Sequence, residues 1–156
     1  MGTSLDEYSL PPTLTKLQQS ITVNRFIDQL KISVTSLQSS AKDEEINFVV
    51  DQISHRINSF PFSALAESLY ALLKMKEFIL RNKSSSSSVE AVEIMTDTVL
   101  ENMLSLLWEN RASDVSIAPK YFALFLFSMI STIRSHSKVL LFDGASKFLN
   151  IMMKVC

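Results

Sequence analysis

Glycine occurs at only two positions in the chain, Gly2 and Gly144. Tight β-hairpins draw on glycine and Asn-Gly pairs for the positive φ of their turns, so a hairpin-built sheet lacks its connectors here. The chain carries instead apolar residues at spacings of three and four, the signature of one buried helix face. Apolar residues make up 47% and charged residues 20% of the 156 positions, which separates the chain from disordered ones. The expected fold class is therefore all-α. A chain of this length buries a core without metal or disulfide staples. Its one cysteine, Cys156, excludes an intramolecular disulfide.

Residues 1–12 read as an extended polar arm ending in Pro11-Pro12. The arm holds Asp6 and Glu7, no Arg and no apolar signal core, unlike a transit or secretory peptide. Residues 13–156 read as a single helical-repeat domain. A short helical pattern at Leu14, Leu17 and Ile21 precedes Thr22, which is placed to cap a helix reaching about Gln38. The stripe of that helix is Val23, Phe26, Ile27, Leu30, Val34 and Leu37. Ser40 with Asp43 resembles the next cap, with Glu44 and Glu45 favourably placed in the first turn for the helix dipole. That helix runs to about Ser59 on a stripe of Ile46, Val49, Val50, Ile53, Ile57 and Phe60. His55, beside this stripe, reads as a surface or boundary residue.

Pro61 ends the second helix and Ser63 opens the third, whose expected buried face is Leu65, Ala66, Leu69, Leu72, Leu73, Ile79 and Leu80. Ala64, Ala66, Ser68 and Ala71 are small enough to admit a close neighbour. Residues 82–88 form a flexible Ser-rich loop. Ser87 with Glu90 is expected to box the start of a helix from Val89 to about Asn110, apolar on more than one face and so sandwiched between neighbours. Arg111 to Asp114 reads as a turn, and Pro119 as the start of a further helix. There Tyr121–Phe127 is almost continuously apolar. The run stops well short of the roughly 20 residues a membrane span needs, so it predicts a central core helix and no transmembrane span. A last helix from about Ser137 carries a candidate kink at Gly144.

Helix starts near 22, 63 and 117 alternate with starts near 42, 89 and 137. Regular alternation of this kind predicts antiparallel helical hairpins stacked as a short α-solenoid, while a compact six-helix bundle fits the same stripes. The stretch Ser59-Phe-Pro-Phe-Ser-Ala-Leu-Ala-Glu-Ser-Leu-Tyr-Ala-Leu-Leu-Lys-Met75 resembles the opening helix of the octotricopeptide or heptatricopeptide repeats of FAST kinase-like and RAP-domain proteins. In that family an aromatic-rich turn precedes a helix with a Leu-Ala…Ala-Leu-x-Lys ending. Val115–Met129 is similar as a weaker second copy. The chain shows no RAP domain, and its repeat interval is longer than that family's unit. The resemblance implies a scaffold that binds other protein subunits and structured RNA within a ribonucleoprotein such as an organellar ribosome. A mitochondrial location goes with it. The alternative is a protein-only adaptor of a non-ribosomal complex, with a cytoplasmic location.

Charge divides the chain. Residues 1–110 hold nine Lys/Arg against 14 Asp/Glu, whereas 111–156 hold six cations against Asp114 and Asp143. Those six, Arg111, Lys120, Arg134, Lys138, Lys147 and Lys154, are the candidate polyanion contacts. Two glycines cannot build a phosphate-cradling loop. His55, His136 and Cys156 lack metal-ligand spacing, and no nucleophile elbow is present. The sequence thus predicts no catalytic residue, metal, cofactor or small-molecule substrate.

Overall fold

A computed structural model describes residues 10–38, 42–81, 86–114 and 119–135, with side chains at 10–38, 42–81, 88–107 and 119–130. Among the described residues the chain is all-α. Six α-helices follow one another: α1 (Pro12–Gln19), α2 (Val23–Leu37), α3 (Asp43–Arg56), α4 (Phe62–Arg81), α5 (Ser86–Asp114) and α6 (Pro119–Ser135). A 3-10 turn, Ile57–Ser59, extends α3.

The helix starts follow from local chemistry. Pro12 is the first residue of α1, so the expected arm gives way to helix one residue earlier than the sequence reading placed it. A first-turn proline forfeits an N–H that has no partner there anyway. At α2 the Thr22 hydroxyl accepts the Arg25 N–H at 3.2 Å, the expected cap. The cap position of α3 is Lys42, not Ser40, which lies outside the described residues. Glu45 fixes this start by reaching back to accept the Lys42 N–H at 3.1 Å. α5 begins at Ser86, so Ser87 is a helical residue rather than a cap. Ser88 is buried and donates to Asp43 Oδ1 at 2.7 Å, tying the start of α5 to the start of α3. The expected turn at Arg111–Asp114 is instead the last turn of α5, because neither Gly nor Pro interrupts the helix before Pro119.

Packing places the helices in two interlocking rows. α1 packs on α3 and α3 on α5; α2 packs on α4 and α4 on α6. Between the rows α1 meets α2, α3 meets α4, α5 meets α6, and α4 meets α5 most extensively of all. The expected α4/α5 pair is thus the main interface. α2 and α3, expected as a hairpin, are not principal partners; α2 packs on α1 and α4 instead. α4 is the hub, because its small residues Ala64, Ala66, Ser68 and Ala71 are all buried and let neighbours approach on several sides.

The predicted stripes of α2 and α3 enter the core, with Val23 half-buried and the remaining members buried. Two expected positions do not. Ile21 is 93% exposed in the α1–α2 turn, and Leu80 is exposed on α4, where Met75 and Phe78 fill the interior instead. α5 buries Val92, Met95, Val99, Leu100, Met103, Leu104 and Leu107 against α3, α4 and α6, as its broad apolar surface requires. The expected central position of α6 is corrected. Phe125, Ser128 and Met129 are buried and Tyr121, Phe122, Leu124 and Leu126 half-buried, while Phe127 and Ile130 are exposed on the side away from α4 and α5. Among the described residues no helix is long and apolar enough to cross a membrane.

Candidate functional site

Side chains of α2, α4 and α6 meet at one carboxylate. Lys31 of α2 and Tyr121 of α6 share one carboxylate, Glu67 of α4: Lys31 Nζ lies 3.3 Å from Glu67 Oε2, and Tyr121 Oη donates to the same oxygen at 2.8 Å. Three helices are thereby joined through a single acceptor. Donating to Glu67 raises the Tyr121 pKa above its ordinary value, with burial and the carboxylate's charge acting in the same direction and Lys31 opposing them.

Beside this junction a groove of about 370 Å³ runs along α4. Its lining includes Val34, Ala71 and Phe78, which are buried core residues, and the half-exposed ring of Tyr70. Four cations border it: Lys31, Lys74, Arg81 and Lys120. Lys31 is held by Glu67, and Arg81 sits 3.6 Å from Glu77, its neighbour one turn back. The other two rest on aromatic rings. Lys74 Nζ lies 5.6 Å from the Tyr70 ring centroid, and Lys120 Nζ 4.9 Å from that of Tyr121. A cation over an aromatic face is attracted by the ring quadrupole, but its charge is not neutralised as it is by a carboxylate.

Of the six sequence-predicted cations, Lys120 alone has a described side chain, and it borders this groove. Arg111 and Arg134 belong to α5 and α6, with side chains outside the described set. Lys138, Lys147 and Lys154 lie outside the described residues, as do the expected last helix, Gly144 and Cys156. His55 is exposed, as expected for a boundary residue. Among the described residues no group of three or more His, Cys, Asp or Glu side chains is arranged to hold a metal ion.

Sequence reasoning missed Lys31, Lys74 and Arg81 because they lie in residues 1–110, the segment with an acidic balance, where averaging over the segment hides a local basic border. It missed Arg56 as well. This half-buried guanidinium on α3 donates to the Gln18 carbonyl at 2.9 Å and to the Ser20 carbonyl, and it stacks 4.5 Å from the Phe26 ring centroid. It thereby satisfies carbonyls left over at the end of α1. Its pKa is lowered by burial. The arrangement ties α3 to the end of α1 and to Phe26 of α2. No family model, curated protein or solved structure matches the chain.

Proposed function

We propose that the chain is a non-catalytic helical-repeat scaffold, an accessory subunit of a larger assembly. The packing order supports this reading: helices touch in two alternating rows, a pattern compatible with a short α-solenoid and with a compact six-helix bundle alike. Among the described residues, Phe127 and Ile130 on α6 are large apolar side chains left exposed. Interaction with other protein subunits is the work such surfaces perform.

The assembly we favour is a ribonucleoprotein, such as a mitochondrial ribosome. Its support is the basic balance of residues 111–156 and the likeness of Ser59–Met75 to organellar repeat proteins. Size-exclusion chromatography of native extract, with and without nuclease, tests it. The chain is expected in a large particle that nuclease breaks down, with RNA affinity falling steeply as salt rises. A particle that survives nuclease replaces this with the protein-only adaptor, a reading favoured by Glu67 and Glu77 inside the basic groove. Elution of the native chain at its own mass in both conditions overturns the scaffold itself.

A further inference from the structure

We propose that the groove along α4 is a docking site for an acidic amphipathic helix of a partner protein. The inference deepens the scaffold reading and rests on it for the existence of a partner. The groove offers what such a helix needs: an apolar floor at Val34, Ala71 and Phe78, an exposed ring at Tyr70, and an excess of positive charge at the border.

The charges select the occupant. The carboxylates in the groove, Glu67 and Glu77, are engaged by Lys31 and Arg81. Lys74 and Lys120 face only aromatic rings among the described residues, which leaves two cations to recruit incoming carboxylates. A nucleic acid brings a phosphate at every nucleotide and would set some of them against Glu67 and Glu77. A peptide helix can place carboxylates opposite Lys74 and Lys120 while turning apolar or basic side chains toward Glu77. Dimensions agree. From Glu67 to Arg81 the groove follows α4 for about four turns, roughly 21 Å, a length that a peptide helix of about four turns covers.

The test is fluorescence anisotropy of the full chain with three labelled probes of equal length: a helical peptide of alternating Glu pairs and Leu pairs, the same peptide with Lys for Glu, and single-stranded oligouridine. The expected result is saturable binding of the Glu peptide, weakened by salt and about tenfold weaker in the K74E/K120E variant. The variant R25E, placed on α2 away from this groove, is expected to bind as the parent does. Circular dichroism checks that each variant remains helical. K74A/K120A, expected to weaken binding by a smaller factor, replaces the double reversal should that fail to fold. Absence of saturable Glu-peptide binding, equal binding by the lysine variants, equal binding of the Lys peptide, or tighter binding of oligouridine each overturns the proposal. These outcomes are separate from the scaffold test: a chain that lacks the peptide site and still elutes in a large native particle loses the groove and keeps the scaffold.

Discussion

α4 and α6 are both rich in Leu, Phe and Ala, yet they are used differently. α4 buries 11 of its 20 residues, whereas in α6 the buried described residues are Phe125, Ser128 and Met129. Among the described residues α4 contacts helices of both rows, and α6 packs chiefly on α4 and α5. Apolar content sets how much surface a helix can bury; the number of neighbours sets how much it does bury. The uncovered side of α6 therefore marks it as an end of the described packing, and the covered sides of α4 mark it as the hub.

Phenylalanines two positions apart on α6 break or sharpen this contrast most directly. Phe125 is fully buried with its ring 5.9 Å from that of Phe62 on α4. Phe125→Ala is expected to cost about 3–5 kcal/mol in urea unfolding. Phe127, 69% exposed, is expected to change stability by less than about 0.5 kcal/mol when replaced by Ala. Equal losses at the two positions would remove the asymmetry assigned to α6. Within α4, Leu69→Ala is expected to cost about 2–5 kcal/mol by the same measurement, since Leu69 is fully buried at the hub.

α1, by contrast, is held by a polar device. Arg56→Met leaves the α1 carbonyls without their donor and is expected to cost about 2 kcal/mol. Arg56→Lys should recover only part of this, because an ammonium cannot reproduce the guanidinium's stacking on Phe26 together with its fork of donors. Full recovery by Lys would reduce the role of Arg56 to its charge. A smaller loss, about 1 kcal/mol, is expected for Thr22→Ala, which removes the α2 cap.

The smallest effect concerns how α6 is tied to α4. The Tyr121 pKa is raised in the folded chain above its ordinary value of 10.0, so the proton is held more tightly folded than unfolded. Its contribution to stability is full below that ordinary value and is lost as pH rises through the higher folded one. Melting temperature measured across this alkaline range should fall less steeply in Tyr121→Phe than in the parent chain. Identical slopes would show that the Tyr121–Glu67 hydrogen bond does not contribute to holding α6.

Much of the fold was legible because local rules and core packing agree over residues 22–79. The stripes of α2 and α3 mark buried positions, the Thr22 cap forms, and Pro61 separates α3 from α4. Legibility failed where a remote partner decides the outcome. Ser88 is helical and buried, and its hydroxyl is satisfied by Asp43, distant in sequence. Leu80 continues the apolar pattern of α4 but finds no cover. The candidate groove was less legible still. Lys74 and Lys120 come from different helices, and neither periodicity nor segment charge reveals that they border one depression.

The sequence by itself determined the helical class, the two-glycine exclusion of hairpin connectors and most of the buried stripe, because these depend on residues within a few positions of one another. Tertiary structure alone decided that α4 is the hub, that Arg56 closes α1, and that Lys31, Glu67 and Tyr121 meet. The physical reason is reach. A cap or a stripe is settled within one or two helical turns, whereas a shared carboxylate or a covered face depends on which distant helices the packing brings together.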